Sequence, residues 1–143
     1  MATPEECLFC RIAAGDEPAL VVFEDERTMA FLDTRPLFHG HALLIPREHH
    51  ETLPDLPPEL VGPLFASARL LSRAVPEAMG AEGSFVAMNN IVSQSVPHLH
   101  VHVVPRKKKD GLRGFFWPRT KYAGDEHAGE TAAKVRAAVE RLR

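Results

Sequence analysis

Apolar and polar positions divide this chain into short alternating runs, one long helical period and a few polar breaks. Thr3-Pro4-Glu5-Glu6 has the form of a helix start, with Thr3 as cap, Pro4 at the first helical position and Glu6 closing a capping box. A short helix carrying Cys7, Leu8, Cys10 and Ile12 then stops near Gly15. Two apolar runs, Ala19–Phe23 and Thr28–Leu32, flank the turn-like Glu24-Asp25-Glu26-Arg27 and predict a hairpin. Asp33–Gly40, broken by Pro36 and Gly40, is a loop that feeds the apolar strand His41–Pro46. From Pro58 to Met79 the residues Leu60, Val61, Leu64, Ala68, Leu71 and Val75 recur at three- and four-residue steps, the period of an amphipathic helix packed on a sheet. Pro63 and Pro76 inside it predict a late start or a bend and a ragged finish, with Gly80 closing the helix. Ser84–Met88 reads as a strand, Lys107–Gly124 as loop, and Asp125–Arg143, with Val135, Val139 and Leu142 on one face, as a C-terminal helix. About five strands in mostly antiparallel order, with one long helix between the third and fourth, indicate an α+β domain with helices on one face of its sheet.

The stretch from Gln94 to Val104 is the most informative. His98, His100 and His102 alternate with Leu99 and Val101 and run into Val103-Val104, which is the period-2 pattern of a strand; Pro97 fits its first residue. One face of one strand would carry three imidazoles, successive rings roughly 6.6–6.8 Å apart. A lone histidine is usually a packed or exposed one, but three at strict alternation point to chemistry. Two chemistries fit: a three-histidine catalytic metal site, or nucleophilic and acid–base attack on phosphorus by a positioned imidazole. Against the metal, residues i and i+4 of a strand stand roughly 13 Å apart at Cα, too far to converge on one ion unaided.

Composition narrows the surroundings. The 143 residues suit one domain spanning 1–143, and 45% hydrophobic with 25% charged residues suits a globular one. The longest apolar runs, such as Ala42–Ile45, are far short of the ~20 residues of a membrane span. The N-terminus is acidic where a signal peptide is basic, so a cytoplasmic address is the default expectation. A formal charge of −2 offers no footprint for a nucleic-acid polymer. Only Arg106-Lys107-Lys108-Lys109 is locally basic, as a solvated turn or as a small phosphate-attracting patch. Cys7 and Cys10, the two cysteines, stand as C-x-x-C. That spacing admits a metal half-site, a redox pair or two incidental residues, and a structural zinc needs four ligands.

His98-Leu99-His100-Val101-His102-Val103-Val104 resembles the signature of the histidine triad family of nucleotide hydrolases and transferases, in which three histidines alternate with apolar residues. The resemblance covers nearly the whole chain: Val22-Phe23-Glu24-Asp25, Met29-Ala30-Phe31-Leu32-Asp33, Gly40-His41-Ala42-Leu43-Leu44-Ile45-Pro46 and Gln94-Ser95-Val96 look like family blocks in family order. It implies a five-stranded, mostly antiparallel sheet with one long and two shorter helices. It also implies that His100 is the nucleophile, attacking the α-phosphorus of a nucleotide ester, anhydride or amidate to form a covalent nucleotidyl-imidazole that water hydrolyses. His102 would contact phosphate and His41 would complete the set around the nucleophile. Asp33 would bind ribose hydroxyls, Asn89 phosphate or ribose, Gln94 and Ser95 would donate hydrogen bonds to phosphoryl oxygens, and Leu8, Phe9, Ile12, Phe31 and Leu43 would line a base pocket. Bacterial members with the same C-x-x-C imply a structural zinc held by Cys7, Cys10, His49 and His98, with His50 as the alternative to His49 if the register differs by one.

The chain departs from the family pattern at Asn89-Asn90-Ile91-Val92-Ser93-Gln94, which is short and lacks the glycines many relatives carry there. Trp117 falls where relatives use C-terminal residues to choose substrates, sometimes across a dimer interface, although packing would also explain it. The expectation is therefore a cytoplasmic homodimer acting on purine nucleotides with no organic cofactor, as a phosphoramidase or dinucleoside polyphosphate hydrolase. A nucleotide-binding regulator with incidental hydrolysis, a nucleotidyl transferase and a metallohydrolase are the alternatives.

Overall fold

The computed structural model describes residues 5–113 and 119–143; Thr3, Pro4 and Trp117 lie outside them. The chain folds as two compact units that divide between Asp110 and Gly111. The first contains α1 (Leu8–Ala14), β1 (Val21–Glu24), β2 (Thr28–Leu32), β3 (Ala42–Pro46), α2 (Pro58–Met79), β4 (Gly83–Ala87) and β5 (Val101–Arg106). Its strands form one antiparallel sheet in the order β1-β2-β3-β5-β4. The second carries α3 (Asp125–Leu142), where the sequence places a helix, with Asp125 and Glu126 in its first turn and Arg141 in its last, the signs a helix dipole favours.

The sheet is covered on both faces, not on one. Ala30, Ala42, Leu44, Val101 and Val103 pack with Leu60, Leu64, Ala68, Leu71 and Val75 of α2. The alternate residues Met29, Phe31, Leu43 and Ile45 pack with Phe9 and Ile12 of α1. Strand side chains alternate between faces, so consecutive apolar residues in β2 and β3 serve two cores. The 7 residues of α1 are too few for hydrophobic period to mark which face of the sheet they cover.

Three local expectations change. Helix α1 begins at Leu8, because Cys7 has an extended backbone and caps the helix, its Sγ accepting the Cys10 N–H at 3.4 Å. Helix α2 starts without delay at Pro58 and runs through Pro63. Pro63 lacks the N–H that Glu59 C=O would accept, and the Arg27 guanidinium donates to that carbonyl at 3.3 Å instead. The end of α2 is not ragged: Gly80 is left-handed at φ 61°, and Gly80 and Ala81 N–H donate to Glu77 and Pro76 C=O in a Schellman closure.

The third correction concerns the histidines. The ladder of β5 begins at Val101, so only His102 lies on a strand; His98 and His100 precede it in non-ladder backbone. The alternation nevertheless persists, since Leu99, Val101 and Val103 all enter the α2 core. Ladder pairing stops for a chemical reason. Ala42 pairs with Val103 and Leu44 with Val101, which sets Pro46, without an N–H, opposite Leu99. Leu99 N–H donates instead to His50 C=O at 2.7 Å.

Gly40, at φ +97°, turns the chain into His41 and β3, and a Cβ there would lie 2.5 Å from Met79 Cγ. Gly40→Ala combines a backbone conformation that L-residues resist with this approach, for an expected loss of about 1–3 kcal/mol. Urea unfolding should show a lower midpoint with an unchanged slope.

Candidate active site and metal centre

His41 immediately precedes β3, whose Leu43 stands opposite His102 of β5, so His41 and His102 are diagonal neighbours on one face. His41 Nε2 lies 3.0 Å from His102 Nδ1, and Leu37 N–H donates to His41 Nδ1 at 3.0 Å. A backbone N–H can only donate, so His41 Nδ1 accepts and its proton sits on Nε2, which donates to His102. His102 therefore carries its own proton on Nε2. Asp33 Oδ2 is 3.7 Å from His41 Nε2. Burial pushes His41 below the ordinary histidine value, partly opposed by Asp33. His102 is held down to about 4, by burial and then by His100 and His41.

His100 is fixed by a different partner. Its Nδ1 is 2.8 Å from the backbone oxygen of His98, and since a carbonyl only accepts, Nδ1 carries the proton and Nε2 the lone pair. The Phe9 ring stands edge-on to the His100 ring, centroids 5.1 Å apart and planes at 90°. His100 and His102 line a cleft of about 1060 Å³ whose apolar wall includes Phe9, Phe31 and Leu43, with Leu8 and Ile12 beside them. Asp33 and Ser95 line it as well.

His98 turns to other partners. Its Nε2 donates to Pro46 C=O at 2.8 Å, so Nδ1 holds the lone pair, 3.4 Å from both Cys7 Sγ and Cys10 Sγ. His49 Nδ1 lies 3.2 Å from Cys10 Sγ. The four ligand atoms of Cys7, Cys10, His49 and His98 all fall within 4.8 Å of one another, a cluster that can hold a metal ion. Two thiols and two imidazoles are the soft donor set and the count of a closed zinc site, and the Pro46 carbonyl orients His98 as a ligand. Of the two neighbouring histidines, His49 belongs to the cluster and His50 does not. Burial and the adjoining Cys7 push the Cys10 thiol up. Asp33, His41 and His102 also bring donor atoms within 4.8 Å, but His41 and His102 aim at each other across 3.0 Å. The triad itself does not converge on one ion.

Two substrate-binding expectations fall elsewhere. Gln94 Nε2 donates to Glu51 C=O at 2.5 Å while its Oε1 accepts Ile91 N–H at 2.8 Å, and Asn89 Nδ2 donates to Ser93 C=O at 3.3 Å. Both side chains brace the glycine-free loop, in which Ile91 and Ser93 take left-handed φ of 73° and 61°. Neither lines the cleft. Leu20, Arg35 and Pro36 do, without having been singled out by sequence. Arg35 follows Asp33 by two residues, and that adjacency was the available signal.

The model of the HIT domain matches residues 14–109, which include every triad histidine, His41 and Asp33. The chain belongs to the HIT domain family. Among curated proteins it is 38% identical over 109 residues to adenylylsulfatase HINT3 of Arabidopsis thaliana, a match covering 75% of this chain and 55% of that protein. To the adenosine 5'-monophosphoramidase hnt1 of Schizosaccharomyces pombe it is 36% identical, over 78% of this chain and 83% of that protein. Among solved structures, a Zn-bound histidine triad family protein from Mycobacterium smegmatis superposes with a TM-score of 0.73 at 35% identity, covering 99% of this chain and 100% of that one. The likeness extends to the open antiparallel sheet. Among the described residues no helix is long and apolar enough to cross a membrane.

Two outcomes are expected of this HIT domain. Metal analysis should find zinc at about one ion per chain, and chelation should lower the melting temperature, because a ligand bound only by the folded state stabilises it. The second is a pH dependence. Between the ordinary histidine value near 6.5 and about 4, the unfolded chain binds a proton that folded His102 refuses, so this contribution to stability is complete above pH 6.5 and lost as pH falls towards 4. Melting temperature should drop from pH 7 to pH 5, and His102→Gln should lose part of that slope.

Proposed function

We propose that this HIT protein, with residues 1–143 acting as one domain, is a nucleotide hydrolase that works through a covalent nucleotidyl-His100 intermediate. The observation that carries the reading is the His98 C=O···H–Nδ1 bond of His100, which leaves Nε2 with its lone pair in a ring lining the cleft. Attack by Nε2 on the α-phosphorus of a purine nucleotide forms an N–P bond as the bond to the leaving group breaks. The ring becomes cationic, and the His98 carbonyl already accepts from its N–H. Water then displaces His100 and releases the nucleoside monophosphate.

The remaining residues take roles suited to their positions. His41 holds His102 with its proton on Nε2, able to donate to a phosphoryl oxygen, and the Ser95 hydroxyl offers a second donor. Asp33 accepts from ribose hydroxyls, and Phe9, Phe31 and Leu43 provide the apolar wall for the base. Asn89 and Gln94 act on substrate through the shape of the loop that leads to Ser95. Cys7, Cys10, His49 and His98 would hold a zinc that makes no bond to the substrate. The names adenylylsulfatase and adenosine 5'-monophosphoramidase borne by relatives favour mixed anhydrides and phosphoramidates of adenylate as substrates. A cytoplasmic homodimer with no organic cofactor completes the reading.

The test is a turnover panel of adenosine phosphoramidate, adenylyl sulfate, diadenosine polyphosphates and a UDP-sugar, run with native protein and His100→Asn. Native protein should turn over the phosphoramidate and yield an adenylylated species on rapid acid quench. His100→Asn should lose about 10³-fold or more in kcat. Absence of both turnover and covalent species in the native chain would leave a nucleotide-binding protein and overturn the enzymatic reading.

A further inference from the structure

His98 does two things at once. Its ring is one of the four candidate metal ligands, and its backbone oxygen is the acceptor that sets the tautomer of His100. Side chain and carbonyl belong to one residue that is fully buried, and the contacts around it leave little freedom: Nε2 on Pro46 C=O, Nδ1 between two sulfurs, and its own N–H on Val96 C=O at 2.8 Å. The next residue is tied as well, Leu99 N–H to His50 C=O, beside the other histidine ligand. The metal cluster thus clamps segment 46–50 to segment 98–99 at the point where ladder pairing has ended.

A second connection reaches His100 from the cysteines. Phe9 lies between Cys7 and Cys10, and its ring meets the His98 ring at 5.9 Å and the His100 ring at 5.1 Å, both edge-on. Whatever holds the two sulfurs holds Phe9 against the nucleophile. The thiols and imidazoles approach to 3.2–3.4 Å, and thiols are weak donors, so these contacts by themselves hold the groups loosely.

We infer that the Cys7–Cys10–His49–His98 centre is a positioning device for the nucleophile: a metal bound there fixes the His98 carbonyl and the Phe9 ring, and so holds His100 with Nδ1 protonated and Nε2 free. His98 is then a positioning residue, not a catalytic one. The inference rests on His100 being the nucleophile, and it goes beyond a zinc that merely adds stability.

The decisive measurement is the state of the His100 ring, read by NMR on protein labelled with ¹⁵N at histidine and assigned with His100→Asn. The zinc-loaded protein should show a single His100 tautomer with a slowly exchanging Nδ1 proton. Chelation, verified by metal analysis and done well below the melting temperature, should exchange-broaden that proton or mix the tautomers, and zinc should restore it. If the stripped native chain unfolds, His49→Gln, which removes a ligand from a segment remote in sequence from His100, is titrated with zinc, and the signal should follow occupancy. In kinetics kcat should fall about 10- to 100-fold on metal loss, with a smaller change in KM. A His100 tautomer and proton exchange indifferent to metal in folded protein would overturn the inference even if the enzyme turns over substrate. Failure of turnover alone, with the tautomer still following the metal, would instead count against the proposed hydrolase.

Discussion

The site depends on the pairing of β3 with β5. Because side chains alternate along a strand, the register that sets Leu43 opposite His102 also settles which face receives the histidines and which receives Leu99, Val101 and Val103. A slip of one residue would turn His102 into the α2 core and separate it from His41. The pairing is secured by burial rather than by polar contacts: Leu44, Val101 and Val103 are fully buried, each contributing about 1.5–3 kcal/mol of apolar transfer. The hydrogen-bond chain from Leu37 through His41 to His102 is then built on a frame that hydrophobic packing has already fixed.

Much of this fold could be read from hydrophobic period. Helix α2 has the bounds Pro58–Met79 that its apolar spacing implies, because a six-turn amphipathic pattern averages over local exceptions such as Pro63. Short elements were less legible. Helix α1 is capped by a cysteine, and thiol capping is invisible to rules based on oxygen. The histidine segment has the alternation of a strand, but alternation reports only an extended backbone. Whether a ladder forms depends on the partner, and Pro46, on a distant stretch of the chain, withholds its N–H.

The candidate site was legible to different depths for equally physical reasons. His41, His100 and His102 follow from spacing and resemblance, and the structure adds which nitrogen of each carries the proton, which only the acceptor His98 and the donors Leu37 and His41 reveal. Cys7 and Cys10 could be paired with His49 and His98 only through resemblance, since nothing in C-x-x-C names distant ligands. The loop 89–94 was least legible. Without glycine, its left-handed turns at Ile91 and Ser93 depend on side-chain bonds from Gln94 and Asn89, and those bonds occupy amides that resemblance assigned to substrate.

The early proline of α2, Pro63, has a consequence for how the molecule opens. Pro63 leaves Glu59 C=O without its helical donor, and Arg27, in the turn between β1 and β2, supplies one. A residue that ordinarily weakens a helix thereby interlocks its first turns with the β1–β2 hairpin, and Thr28 Oγ1 to Ser67 Oγ at 2.8 Å adds a second tie further along. Fraying of the helix start and opening of the hairpin are thereby coupled, since each breaks a tie to the other.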